Sequence, residues 1–325
     1  MPNTGGLLSG APSVIRGGPM LYDKPATTID EQIDLLQTRG MVGDVALMRR
    51  WLETVGYYRL SAYWLPFETP PAAGSTRSKA FPPGTQFADI VDIYVFDRKL
   101  RLLVTEAVER VEIAIRSRWT HNMTLAHGSH AHLQRECFAS GKDHIALLSQ
   151  LCARVESSSE VFIEHYGKKY DDPFLPPLWM VTELMTLGEL SRWFAATKDP
   201  KVKDAVAKDL GLPSRDVLDG TLQLLSYIRN ICAHHGRLWN RHTVKRLPFI
   251  KRFKADLVVD TNGNQNQPSN QIYNALVALI HLMRRQSDDT TFPTRVAQLV
   301  LTRSEQQQRA MGFPPDWQQR PCWHT

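Results

Sequence analysis

The stretch from Asp89 to about Thr120 constrains the fold more than any other, because it is the longest segment with a sustained helical period. Ile90, Ile93, Tyr94, Leu100, Val104, Ala107, Val108, Val111 and Ile115 recur at the spacing that lines one face of an α-helix. Arg98, Arg101, Glu109, Glu112 and Arg116 take other positions on the same helix. No segment shows period-two alternation closed by hairpin turns, so there is no sheet to build on. The expectation is an all-α fold.

Shorter signals extend this reading. Thr28 and Glu31 open a helix that Gly40 stops, and a second helix runs from about Val42 to Val55 before Gly56. The aromatic run Tyr57 to Trp64 reads as core, and the Pro- and Gly-rich stretch Thr69 to Gly84 as a loop. Further helices are expected at about 143–156, 178–197, 201–210, 215–240 and 271–285. Residues 1–23 read as a flexible arm, 24–286 as the helical domain, and 287–325 as a C-terminal extension. An Asn/Gln-rich tract makes about 258–271 a mobile loop.

With 325 residues, of which 42% are hydrophobic and 22% charged, the chain can bury a sizeable core. The formal charge of +6 and a pI near 9.1 permit a polyanionic partner without requiring one. Cys137, Cys152, Cys232 and Cys322 are scattered and read as free thiols of a reducing cytoplasm. No apolar run is long enough for a membrane span, and no secretory signal opens the chain.

The chemistry concentrates in Thr221 to Arg241, TLQLLSYIRNICAHHGRLWNR. Projected as a helix, Leu224, Ile228, Ile231, Leu238 and Trp239 form a core stripe. Asn230, His234, Arg237 and Arg241 fall on the opposite face with Ser226, and Arg229 lies to one side within reach. His235 points toward the core stripe. An amide, an imidazole and several guanidiniums on one face suit cleavage of an RNA phosphodiester without a metal. An imidazole can take the ribose 2′-hydroxyl proton near neutral pH, and arginine's planar fork matches phosphate oxygens. Asn230, one turn before His234, can orient the ring. A solvated polar face is the alternative reading of the same residues.

Two other groups bear on function. The histidines of His127-Gly128-Ser129-His130-Ala131-His132 lack a cysteine or carboxylate at ligand spacing, so a surface loop is expected and no metal site. The basic stretch Arg237, Arg241, Lys245, Arg246, Lys251, Arg252 and Lys254 is punctuated by Trp239 and Phe249, a pattern used to bind single-stranded RNA. A charged, solvated edge is again the alternative. Glu109 and Glu112 read as ion-pair partners on an arginine-rich helix.

Arg229-Asn230-Ile231-Cys232-Ala233-His234 resembles the R-x4-6-H signature of HEPN ribonucleases, and Arg229 to Arg241 resembles the matching block of Abi-like (abortive infection) proteins. Other blocks agree in order: Glu31 to Gly40, Tyr58 to Tyr63, Tyr94 to Arg101, Val111 to Arg116, Glu164 to Tyr166, and Pro177 to Ser191. The resemblance implies a HEPN-type helical bundle with extra helices and loops, paired with a second copy so that two motifs form one composite site. It implies Arg229, Asn230 and His234 as catalytic, with His235, Arg237, Asn240, Arg241 and Glu112 in support. Arg98, Arg101, Lys245, Arg246, Lys251 and Arg252 are expected to contact RNA. No cofactor is called for. The implied role is a phage-defence or toxin ribonuclease, associated with a small non-coding RNA. A non-catalytic RNA-binding protein and a partner of a nucleotidyltransferase antitoxin remain open.

Overall fold

The computed structural model describes residues 25–71, 77–260 and 267–324. The arm expected over 1–23 lies outside the described residues, as do residues 261–266 of the Asn/Gln loop. The described residues form thirteen α-helices and no strand, so the fold is all-α. The chain divides into two compact units, Met1–Ala88 and Asp89–Thr325.

The first unit holds α1 (Ile29–Thr38), α2 (Val45–Thr54) and α3 (Tyr57–Trp64). Thr28 and Glu31 close a reciprocal capping box at the start of α1. Gly40 ends that turn at φ +97°, and a Cβ there would sit 2.9 Å from the Phe81 carbonyl oxygen. Only glycine allows the returning chain so close. α1 packs on α2, burying Ile33, Leu36, Met48 and Leu52. The aromatic run became α3, with Leu60, Tyr63 and Trp64 buried and Tyr58 fully open to solvent.

The long periodic segment is α4 (Phe87–His127), 41 residues and so about 60 Å long. It extends beyond the expected boundary at Thr120. Its buried face runs Ile90, Ile93, Phe96, Leu100, Val104, Val108, Val111, Ile115, Trp119 and Met123. There follow α5 (Gly141–Glu156), α6 (Val161–Lys169), α7 (Leu178–Val181), α8 (Leu187–Ala196), α9 (Pro200–Asp209), α10 (Arg215–Ala233), α11 (Ile272–Gln286), α12 (Phe292–Val300) and α13 (Glu305–Arg309).

Two expected helices need correction. The one over 178–197 is interrupted: α7 runs into a 3-10 turn at Thr182–Leu184, and Met185 is extended (ψ 140°) before Thr186 caps α8 afresh. The one over 215–240 ends at Ala233.

α10 is clamped between neighbours. It packs on α8 and α9, and the approach to α8 is close enough that a Cβ on Gly188 would lie 3.1 Å from Ser226 Oγ. α11 is apolar nearly all round and correspondingly buried, from Ile272 to Met283. The chain after it folds back onto this helix. Phe313 sits edge-on to Tyr273 at 4.9 Å, Trp317 edge-on to Trp323 at 5.0 Å, and the Trp323 indole N–H donates to the Tyr273 hydroxyl at 3.3 Å.

Candidate active site

α10 carries the motif to the surface. Ser214 accepts the Val217 N–H at 3.3 Å to start it, and Leu218, Leu222, Leu225, Ile228 and Ile231 anchor its inner face. That leaves Asn230 exposed and Arg229 half-buried in the last turns.

The end of the helix is built like a Schellman turn. The Gly236 N–H donates to the Ile231 carbonyl at 2.7 Å, and the His235 N–H to the Cys232 carbonyl at 3.0 Å. The left-handed residue this turn needs is His235, at φ +55°, where glycine usually stands. His234 is the C-cap; its N–H donates to the Asn230 carbonyl at 3.0 Å and its ring is exposed.

This turn overturns the helical projection beyond His234. His235 is exposed rather than aimed at the core, because its backbone has left the helix. Arg237 and Arg241 no longer share a helix face with Asn230. Arg241 folds back, donating to the Arg237 carbonyl at 3.4 Å and to the Tyr227 hydroxyl at 3.5 Å. Asn240 is half-buried and also left-handed, at φ +49°.

α4 brings two acid–arginine pairs to this region. Glu112 accepts from Arg116 at 2.8 Å, one turn apart, and Arg116 reaches on to Glu183 at 3.3 Å and to the Met185 carbonyl at 2.8 Å. Burial pushes the Glu112 carboxyl above its ordinary range, against the pull of Arg116 and Arg229. Arg116 also borders a hollow of about 320 Å³ with Thr120, His121, Trp179 and Glu183.

The second pair is Asp97 with Arg101, both buried. Asp97 accepts the backbone N–H groups of Leu238 at 3.1 Å and Trp239 at 2.7 Å, and Arg101 donates to the Gly236 carbonyl at 3.4 Å. Together they hold the chain as it leaves the His234 corner. Arg101 is thus a positioning residue and is withheld from RNA. Asp97 was missed by sequence reasoning; its i, i+4 spacing to Arg101 was the available signal.

The other expected contacts separate. Arg98, Lys245, Lys251 and Arg252 are exposed. Lys245 reaches Gln223 at 3.3 Å, whereas Arg246 is spent on Asp260 at 2.5 Å. Trp239 is buried, so it offers no stacking surface, and Phe249 is half-buried. Burial pushes the Cys232 thiol up to about 11, which keeps it protonated and poorly nucleophilic near neutral pH.

Among the described residues no cluster of three or more His, Cys, Asp and Glu side chains is arranged to hold a metal ion. His127 pairs with Asp199 at 3.0 Å. His132 is fully buried rather than part of a surface loop, and burial first, then His130 and His144, lowers it to about 3. No described helix is long and apolar enough to cross a membrane.

An all-helical unit with an Arg-Asn-x3-His motif at the end of one helix is the class that fold and site define. The family model for Abi-like proteins matches residues 50–240, more than half of the chain. The chain belongs to the Abi-like family, and with it to a group tied to abortive phage infection. No curated protein and no solved structure matches it. The matched region contains Asp97, Glu112, Arg116, Arg229 and His234, and stops at Asn240.

Proposed function

We propose that this protein is a metal-independent endoribonuclease of the HEPN class, acting as a defence effector on RNA. The observation that carries the reading is the exposed His234 at the end of α10, one turn after Asn230, with Arg229 beside the Glu112–Arg116 pair.

In the proposed reaction His234 accepts the proton of a ribose 2′-hydroxyl. The 2′-oxygen attacks the adjacent phosphorus, and the bond from phosphorus to the 5′-oxygen breaks. The products are a 2′,3′-cyclic phosphate and a 5′-hydroxyl, whose proton comes from an acid on the far side of the phosphate. Arg229 stabilises the charge gathering on the non-bridging oxygens.

Arg229 and His234 leave an ideal helix about 140° apart, which separates them around the axis. Two copies pairing across their α10 ends would place one chain's arginine against the other's histidine, so a homodimer forms the complete site in this reading. Two-fold pairing is the commonest symmetry of soluble homo-oligomers. A small non-coding RNA is a further partner in this reading, by resemblance to the family.

The test is incubation of purified protein with RNA in EDTA, followed by mass spectrometry of the new ends. Cyclic phosphates in EDTA, absent from His234→Ala, are expected. Cleavage that needs Mg²⁺ or Mn²⁺ overturns the mechanism. RNA retained but never cut would make the chain a binding protein.

A further inference from the structure

The larger unit holds an open hollow of about 400 Å³ lined by Lys208, Leu210 and Gly211 from within the matched region and by Arg252, His281, Arg284 and Arg285 from beyond it. It lies at the opposite end of α10 from the motif. Gly211 precedes α10 by four residues and His234 follows its last residue, so the helix alone separates them by about 27 Å. No single phosphate group can touch both.

Among the described residues no carboxylate pairs with the cations there. Among the described residues none of Lys208, Arg252, Arg284 and Arg285 belongs to an ion pair, and no carboxylate lines the hollow. Instead the arginines are steered by neutral groups. Arg285 Nε donates to the Asp209 carbonyl at 3.2 Å, Arg284 Nη2 to the His324 carbonyl at 2.5 Å, and the Arg252 guanidinium lies 5.0 Å over the Phe253 ring. A Cβ on Gly211, itself at φ +70°, would come 3.4 Å from Arg285 Cδ and 3.5 Å from Arg252 Nη2, so the two arginines flank this glycine. Asp256 is buried and engaged with the His281 ring at 2.9 Å and the Cys322 N–H at 2.8 Å.

Packing like charges together without a counter-ion is unfavourable unless an anion completes the site. Guanidinium forks held in place by carbonyls and an aromatic ring match the non-bridging oxygens of phosphate. The hollow offers no ring to a base, because Phe253 is already stacked on His281 (3.7 Å, 3° between planes) and covered by Arg252. Its size is near the lower end of ligand pockets, about 300–1,000 Å³.

We propose that Lys208, Arg252, Arg284 and Arg285 form a binding pocket for a phosphate-bearing anion, read through its phosphates without contact to a base. This stands whether or not the protein cleaves RNA. The anion can be an RNA backbone several nucleotides from the motif or a free oligophosphate, and the two sources are separable.

The probes are inorganic tripolyphosphate, by calorimetry, and a fluorescent oligouridylate, by anisotropy, both on the full chain. Arg252→Gln/Arg285→Gln removes two exposed cations, and Lys208→Glu puts a carboxylate into the hollow with a different risk to folding. Lys142→Gln, an exposed cation given no role in RNA contact, is the control, and circular dichroism checks each variant. The expected result is at least a tenfold loss of affinity for one or both probes in both pocket variants, with Lys142→Gln near wild type. Tripolyphosphate displacing the oligonucleotide assigns the pocket to the RNA backbone. Tripolyphosphate binding that the oligonucleotide leaves untouched assigns it to a free anion. Folded pocket variants that bind both probes as Lys142→Gln does, or a wild type that binds neither, overturn the proposal.

Discussion

α4 carries two acid–arginine pairs with the same spacing, Asp97–Arg101 and Glu112–Arg116, and the fold uses them in opposite ways. The first is sealed from water: Asp97 is 0% and Arg101 6% exposed. Its remaining capacity goes to backbone groups of residues 236–239, well over a hundred residues later in the chain. The second is half-buried, each side chain 13% exposed, and Glu112 feels the charge of Arg229. Pair spacing says that two side chains can meet; burial and third partners decide whether the pair is a bracket or part of a site. A buried pair is a poor source of net stability, yet breaking it is costly because one charge is left stranded.

Asp97→Ala breaks the buried pair and should have the largest effect. It strands Arg101 and uncaps two buried N–H groups, so a loss of roughly 3–5 kcal/mol is expected in urea unfolding. A loss under 1 kcal/mol would mean that water or a rotated side chain replaces Asp97 in solution.

His234→Ala touches the surface side of the comparison. RNA cleavage should fall by about 10²–10⁴-fold, the usual contribution of a general base, with the urea midpoint unchanged. Loss of stability alongside activity would make His234 a structural cap.

Glu112→Gln separates the two pairs by pH. Burial raises the Glu112 carboxyl above its ordinary value of 4.5, so the folded protein holds this proton more tightly than the unfolded chain. That contribution to stability is present below 4.5 and is lost as pH rises through the raised folded value. Comparing unfolding curves across that range, the variant should lack this part of the wild-type slope. Identical slopes would show that Arg116 and Arg229 offset the burial.

Much of this was legible beforehand. Thr28, Glu31 and Gly40 marked α1 by chemistry that acts within a few residues, and the apolar spacing of α4 located its buried face. The positions of Arg229, Asn230 and His234 followed the helical projection, since His234, the C-cap, still donates its N–H to the Asn230 carbonyl. Beyond His234 the projection broke down. Leu238 and Trp239 are buried as expected, yet Asp97 holds them there rather than a continuing helix. Contacts between residues so far apart leave no periodic trace. The interruption at Met185 did leave a trace that the helical reading over 178–197 passed over, because Thr186 and Glu189 are spaced as a capping box that starts α8.

The smallest expected effect tests whether the buried bracket imposes the corner. His235 takes φ +55°, a conformation that costs a residue with a Cβ roughly 1–2 kcal/mol, whereas glycine adopts it freely but loses more chain entropy on folding. His235→Gly should therefore stabilise the protein by up to about 1 kcal/mol. If Asp97 and Arg101 force the positive φ by fixing residues 236–239, releasing them lets His235 relax. The gain from glycine should then shrink in an Asp97→Ala background, giving a coupling of about 0.5 kcal/mol or more in a double-mutant cycle. Equal gains in both backgrounds would place the cause in the Ile231–Gly236 hydrogen bond alone, and the bracket would act on the following loop without shaping the corner.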